Sequence, residues 1–319
     1  MEPVRWGLMS TAQINLAILE GVRLTERAAV IAVASRDQGR ADAYAREHGI
    51  ERALGTYEAL LSDPDVEVVY ISLPNSLHVE WSIRALEAGK HVLCEKPLDR
   101  RPDAVERAFD AADQAGRLLM EAFMYRHHPQ TRKVADLVAD GAIGRLRQLR
   151  SSFSFTLADL ADVRMLPELD GGALMDLGCY CISMQRLLAG EPELVFGRQR
   201  TGSTGVDLGF TAVVQFGSDV FGEFNCGFDL PETNGLEAIG SSGIVIVPDP
   251  VRCRDPHVEL NGERIDVEDV DRYRLQVENF SDAVRGEAEP LLGRADALGQ
   301  ARTIEALYRS AATGAAEPS

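Results

Sequence analysis

Val4-Arg5-Trp6-Gly7-Leu8-Met9-Ser10-Thr11-Ala12 is an apolar run that ends in a turn, directly ahead of a helical stretch over Ile14–Leu24. Gly7–Ala12 has the form of a G-x-G-x-x-A dinucleotide turn with Met9 at the middle glycine. Such a turn aims backbone amides and a helix N-terminus at a pyrophosphate. Gly7 is expected to permit the tight turn and Ala12 to let helix and strand pack closely, while Met9 removes the closest backbone approach. On these six residues alone, an ordinary strand–helix turn is an equal alternative.

The surrounding pattern supports the strand–helix reading. Apolar runs at Ala29–Ala34, Val66–Leu73, His91–Cys94 and Leu118–Ala122 alternate with helical stretches at Gln38–Glu47, Leu77–Ala88 and Asp103–Ala115. Gly49, Gly89 and Gly116 stand where those helices should stop, and Thr56 is placed to cap a short helix at Tyr57–Leu61. Alternation of this kind predicts a parallel sheet with crossover helices. After about residue 123 the texture changes. A helix near Gln130–Asp140 leads into a strand-like Ile143–Phe155, then a helix at Gly172–Leu188. Runs at Thr211–Phe216, Val220–Phe228, Leu236–Ile239 and Ile244–Val247 predict a largely antiparallel sheet, and Tyr273–Val284 and Arg294–Ser310 read as closing helices. The acid-rich Glu259–Asp271 is expected to be a solvated loop or edge.

Composition excludes several classes. The chain of 319 residues carries 33 Lys plus Arg against 50 Asp plus Glu, a net charge of −17. That balance argues against tracking a nucleic-acid backbone or settling on an anionic membrane. The five cysteines are odd in number and none is spaced CxxC, so neither a disulfide framework nor a zinc site is expected. No apolar run approaches the ~20 residues of a membrane helix, and no signal-peptide pattern precedes Val4. A cytoplasmic protein is the expectation.

Three further stretches carry chemistry. The second strand ends at Ser35-Arg36, with Arg40 beyond, and lacks the acid that would accept hydrogen bonds from an NAD ribose. A hydroxyl beside an arginine suits a 2′-phosphate instead, and hence NADP; the alternative is that Arg36 and Arg40 pair with Asp37 or Asp42. Glu95-Lys96-Pro97 follows a strand's C-terminal end, where Lys96 would face the ligand crevice with Pro97 fixing the preceding peptide, cis being one option; a surface lysine before a loop proline fits equally. On the helix after Gly171-Gly172, Asp176 and Tyr180 are four apart and would stack on one face beside an apolar stripe. The competing reading is a half-buried tyrosine packed on the core. His78, His127 and His128 lack converging partners at metal-ligand spacing, so no metal is expected.

Together these pieces resemble the glucose–fructose oxidoreductase/inositol dehydrogenase (Gfo/Idh/MocA) family over nearly the whole chain. The matching stretches are the Gly7–Ala12 turn, Leu73-Pro74-Asn75-Ser76-Leu77-His78, Glu95-Lys96-Pro97, Glu121–Pro129 and Gly171–Tyr180. The resemblance implies a Rossmann dinucleotide-binding domain, residues 1–123, and an open-faced, mainly antiparallel α+β domain, residues 124–319, that binds substrate and mediates oligomers. It also implies hydride transfer between a nicotinamide and a sugar, polyol or vicinal diol. Lys96 matches the family's motif lysine and Asp176 the aspartate one turn before the acid/base position. Tyr180 stands at that position, as in the branch with D-xylose dehydrogenases and dimeric dihydrodiol dehydrogenase. The cofactor set is then Gly7, Ser10, Thr11, Ala12, Ser35, Arg36, Arg40, Leu73, Pro74, Asn75, His78, Glu95 and Lys96. Asp176, Lys96, Arg126 and Arg164 are assigned to substrate, and a loop around Leu157–Pro167 to specificity. The alternatives are a ketoreductase acting on a nucleotide-linked keto sugar, for which Arg164 is the hint, and a non-catalytic cofactor-binding sensor. A homodimer or higher homo-oligomer is expected.

Overall fold

The computed structural model describes residues 2–319. The chain forms two compact units. One comprises the chain up to Asp99, Asp103–Met124 and Asp271–Leu298; the other comprises Arg100–Pro102, Tyr125–Val270 and Gly299–Ser319.

The first unit is built on six parallel strands: β1 (Val4–Met9), β2 (Ala28–Ala34), β3 (Arg52–Leu54), β4 (Val68–Ile71), β5 (His91–Cys94) and β6 (Leu119–Glu121), in the order β3-β2-β1-β4-β5-β6. The crossovers contain α1 (Asn15–Arg23), α2 (Gln38–His48), α3 (Tyr57–Ser62), α4 (His78–Glu87) and α5 (Pro102–Ala115). Helices cover both faces of such a sheet, so central strands read as unbroken apolar runs; all four residues of β4 are buried. Local sequence sets the helix ends. Asp37 accepts the Arg40 N–H at 2.7 Å to start α2, Thr56 accepts the Ala59 N–H at 3.1 Å to start α3, and Gly49 ends α2 in the left-handed region. Strand order reverses between β1 and β4, which places the ligand crevice of this topology at their carboxyl ends.

The second unit contains α6 (Pro129–Ala139), β7 (Leu146–Ser154), α7 (Cys179–Ala189), β8 (Leu194–Thr201), β9 (Asp207–Phe216), β10 (Val220–Gly227), β11 (Thr233–Gly240), β12 (Ile244–Val247), β13 (His257–Leu260) and β14 (Glu263–Asp266). The chain then forms α8 (Arg272–Val284), α9 (Arg294–Thr313) and a terminal β15 (Glu317–Pro318). The nine-stranded sheet runs β14-β13-β12-β11-β7-β10-β9-β8-β15, antiparallel throughout except for the β7–β10 pair. Phe210, Ala212, Val214 and Phe216 of β9 and Phe224 and Cys226 of β10 point to the buried face. That face is covered by α7, whose Gln185 side chain donates to Glu223 O and Ser151 Oγ, each at 2.9 Å. The other face is open. It carries Leu194, Phe196, Val213 and Phe221 at 38–49% exposure, with Phe196 directly beside Val213. The acid-rich Glu259–Asp271 stretch supplies the edge hairpin β13–β14, where Arg264 pairs with Asp255 and Asp266.

Three features differ from the sequence expectations. The units interleave instead of meeting at one cut after residue 123. Helix α8 lies in the first unit, where wholly buried Trp6 donates to Ser281 Oγ at 3.3 Å and meets Phe280 edge-on. Gly21 of α1 lets it approach, since a Cβ there would lie 2.7 Å from the Arg274 nitrogen. Periodicity shows that α8 has an apolar face but not which sheet that face covers. Second, β3 gives no apolar run. Third, the helix expected over Gly172–Leu188 begins with a π-helical turn, Leu174–Gly178, closed by the Cys179 N–H on the Leu174 carbonyl. That turn interrupts the α-helical register assumed for Asp176 and Tyr180.

Candidate active site

In the first unit the strained point of the β1–α1 turn is Ser10, with φ 133°, and not a glycine. Its hydroxyl accepts the Ala12 N–H at 3.0 Å and lies 2.8 Å from Ser72 Oγ; Ser72 in turn donates to Asn15 Oδ1 at 2.6 Å. Asn15 Nδ2 donates back to the Ser10 carbonyl at 2.8 Å. This buried knot at the ends of β1 and β4 substitutes for glycine's conformational freedom. Gly7 has a different task from the one expected. It lies within β1, where a Cβ would meet Leu60 Cδ1 at 2.7 Å, so its lack of a side chain admits α3. Met9 is wholly buried. Among the described residues the amides of Thr11, Gln13 and Ile14 donate to no protein acceptor.

At the end of β2, Ser35 is buried and its hydroxyl accepts the Asp37 N–H at 3.3 Å. Arg36 and Arg40 are exposed, and neither forms an ion pair among the described residues. Asp37 is occupied as the α2 cap and Asp42 by Gln38 Nε2 at 2.8 Å, so the pairing that was the alternative reading of Arg36 and Arg40 is absent among the described residues. Arg36 also lies beside the Tyr57 phenol, which burial pushes up and Arg36 draws back.

The Leu73–His78 and Glu95–Pro97 stretches are tied together through one imidazole. Buried His78 sits between two carbonyls, with Nδ1 2.9 Å from Pro97 O and Nε2 2.8 Å from Leu73 O. Burial lowers its pKa, against the pull of those two carbonyls. Asn75 opens a single 3₁₀ turn before α4. Tyr70 donates to Glu95 Oε1 at 2.5 Å, the Lys96–Pro97 peptide is cis, and the Leu98 N–H donates to Glu121 Oε1 at 2.7 Å. Half-buried Lys96 thus leaves β5 on a backbone held at both sides. Burial pushes the Tyr273 phenol up to about 12, with Glu95 adding to the rise and Lys96 opposing it.

In the second unit Tyr180 is 6% exposed at the start of α7. Its ring stands edge-on to Tyr125, at a centroid distance of 5.9 Å, and to Phe153, at 5.6 Å. Tyr125 donates to Ser183 Oγ at 2.8 Å, and Arg126 Nη1 approaches the same oxygen at 3.4 Å. Asp176, on the π-helical turn, lies 3.5 Å from Arg164 Nη1. Arg164 is gripped by Asp162 through Nε and Nη2, both at 2.8 Å, and its guanidinium stands over Phe155 at 5.6 Å. Those bonds hold the Asp162 carboxyl below its ordinary pKa and the guanidinium above its own. Residues 157–167 therefore do not hang free; they are clamped to the segment bearing Asp176.

His127 is buried, and burial pushes its imidazole down to about 3; His128 Nδ1 accepts the Gln130 N–H at 3.1 Å as the α6 cap. Among the described residues no group of three or more His, Cys, Asp or Glu could hold a metal ion, and no helix is long and apolar enough to cross a membrane. Sequence reasoning did not single out Asp207, Tyr308, Ser72, Asn15 or Ser183. Their partners lie up to 101 residues away, as in Tyr308–Asp207, and no local spacing signals them.

Two family models match successive stretches of the chain. The model of an oxidoreductase family with an NAD-binding Rossmann fold matches residues 11–123, and that of the GFO/IDH/MocA C-terminal domain matches residues 131–246. The D-xylose 1-dehydrogenase (NADP(+)) 2 of Haloferax volcanii is 40% identical over 321 aligned positions, spanning 98% of each chain. A 3-ketoreductase from Actinomadura kijaniata, solved with NADP and TDP-benzene, superimposes with a TM-score of 0.90 at 34% identity, covering 97% of this chain and 98% of its own. An aldose-aldose oxidoreductase from Caulobacter crescentus, solved with glycerol, gives a TM-score of 0.91 at 27% identity, covering 99% and 100%.

Proposed function

The chain belongs to the Gfo/Idh/MocA oxidoreductase family, and on that premise we propose that it is an NADP-dependent dehydrogenase of an aldose, polyol or vicinal diol. The single observation that carries the cofactor reading is the pair Arg36 and Arg40, exposed and without ion-pair partners at the end of β2 while their neighbouring acids are engaged elsewhere. A 2′-phosphate is the ligand group whose charge those cations would match. The unpartnered amides of Thr11, Gln13 and Ile14 suit the pyrophosphate. Ser10 and Ala12 hold the turn, Gly7 and Ser35 its flanks, and Leu73, Pro74, Asn75, His78 and Glu95 the facing loops.

NADP supplies the hydride acceptor or donor when bound. The chain's own part is proton transfer and orientation. Tyr180 exchanges the proton of the reacting hydroxyl or carbonyl oxygen, and Lys96 supplies positive charge to that oxygen and favours the phenolate. Asp176 and Arg126 accept and donate to neighbouring hydroxyls and hold the carbon in place. With its guanidinium engaged by Asp162 and Asp176, Arg164 acts by setting Asp176, and this favours an uncharged substrate over a diphosphate-linked one. The likeness to a 3-ketoreductase solved with TDP-benzene keeps the nucleotide-linked keto sugar as the second reading.

The open face of the second sheet is assigned to a homodimer, since four large apolar side chains lie exposed there. Five buried, unbridged cysteines agree with a reducing cytosol. The test is reduced-cofactor absorbance with NADP or NAD and a panel of pentoses, hexoses, diols and a nucleotide-linked keto sugar. Turnover of a free sugar or diol with NADP is expected; turnover confined to the nucleotide-linked sugar would select the second reading.

A further inference from the structure

The segment that carries Asp176 and Tyr180 begins with an unusual feature. A helix start leaves its first amides without partners, and a carboxylate is the strongest acceptor to place there. Asp207, at the first position of β9, provides it. Its Oδ2 accepts the Leu174 N–H at 2.7 Å, at the opening of the π-helical turn, and its Oδ1 accepts the Tyr308 hydroxyl at 2.9 Å. Gly172 makes the approach possible. Its φ is +126°, and a Cβ there would sit 2.2 Å from Asp207 Oδ1 and 3.2 Å from the Tyr308 hydroxyl. Any side chain at 172 would push the carboxylate off the turn.

We propose that Asp207 is a positioning residue, which fixes the π-helical turn by its start and thereby sets the orientation of Asp176 and Tyr180. The inference rests on the roles given to those two residues above. Asp207 is 3% exposed, so its charge is held out of water by design of the site around it. Burial pushes its carboxyl up to about 6, against the lowering effect of the bonds from Leu174, Tyr308 and the Ala173 amide. The other groups facing it are Cys226 on β10 and, behind the Tyr308 ring at 5.3 Å, Arg100, itself paired with Asp170 at 3.1 Å. A buried acid at this cost is not needed for packing. Asparagine would fill the same volume, but it offers one acceptor oxygen where the carboxylate offers two, so it cannot accept from the Leu174 and Ala173 N–H groups and the Tyr308 hydroxyl together.

Asp207→Asn therefore separates anchoring from folding. The expected result is a kcat for the sugar substrate lower by about 10- to 100-fold, the consequence of a small misplacement of the reacting groups. The NADP KM stays at the parental value, and the melting temperature at neutral pH does not fall, because the burial penalty on a carboxylate is gone. Hydrogen exchange accelerates at the amides of Ala173–Tyr180 and not elsewhere in the second unit. Parental kcat with parental exchange overturns the proposal. So does a loss of kcat accompanied by a lower melting temperature and faster exchange throughout the unit. If Asp207→Asn does not fold, Tyr308→Phe decides: a several-fold lower kcat with parental NADP KM supports the anchor, and parental kcat overturns it. If the parent turns over no sugar, the functional reading fails, while the exchange comparison still decides the anchor.

Discussion

The rings of Tyr125 and Tyr180 meet edge to face, with centroids 5.9 Å apart and an interplanar angle of 62°. Phe153 closes the other side of Tyr180 at 5.6 Å, so the ring is fixed by packing and only its hydroxyl is left to do chemistry. Tyr180→Phe preserves that packing. We expect kcat to fall by ~10²–10⁴-fold, the usual contribution of a positioned acid/base. Fluorescence titration should show NADP binding unchanged; near-parental turnover with cofactor bound would assign the proton to another group.

Arg36 is expected to discriminate between cofactors. Arg36→Ala should weaken NADP by about 1.5–3 kcal/mol, the range for a hydrogen bond to a charged group. NAD binding should stay as it is, because the lost contact is with the 2′-phosphate alone. Calorimetry with both nucleotides measures the difference. Equal affinities in parent and variant would make Arg36 a surface charge.

Arg164 holds Asp176 at 3.5 Å while gripped by Asp162. Arg164→Met keeps much of the stem's volume and releases both acids. The sugar KM should rise by about 10- to 100-fold, equivalent to one lost charge-assisted contact, with the NADP KM unaffected. A rise in both constants would instead indicate general loosening of the unit.

His127 predicts a pH dependence of stability. Its imidazole is pushed down to about 3 by burial, whereas an unfolded chain protonates near ~6.5. Below ~6.5 the unfolded state therefore binds the proton first, and stability falls as pH drops through that window. The slope amounts to about 1.4 kcal/mol per pH unit for one fully shifted group. His127→Leu should flatten the melting temperature between pH 6.5 and 4 relative to the parent. An unchanged slope would mean that other groups dominate acid unfolding.

Phe221, 48% exposed on the open sheet face, is expected at the centre of the dimer contact. Phe221→Glu should convert a species of twice the chain mass into the monomer in light scattering at micromolar concentration. A parent that is already monomeric would remove the dimer assignment.

Much of the first unit could be read from the chain because its strands are buried on both faces and its helices end at glycines such as Gly49. β3 escaped notice since Arg52-Ala53-Leu54 is only three residues long and half-exposed. The Ser35-Arg36 and Glu95-Lys96-Pro97 stretches were visible because their chemistry is local. The π-helical turn Leu174–Gly178 that carries Asp176 toward Tyr180 gives no signal in the sequence, since its residues fit the pattern of a regular α-helix equally well. Asp207 was invisible for a different reason. It is one acid at a strand start, and its meaning comes from Leu174, 33 residues earlier, and Tyr308, 101 residues later.

The placement of α8 has a consequence for how the protein is made. Trp6 and Ile18 are fully buried, and among the described residues the Trp6 indole N–H donates to Ser281. A ribosome delivers Trp6 and Ser281 at opposite ends of synthesis, so the nucleotide-binding half emerges first and yet cannot finish folding until nearly the whole polypeptide is out. A fragment ending at residue 124 should for the same reason be sticky and chaperone-bound, its tryptophan accessible to quenchers.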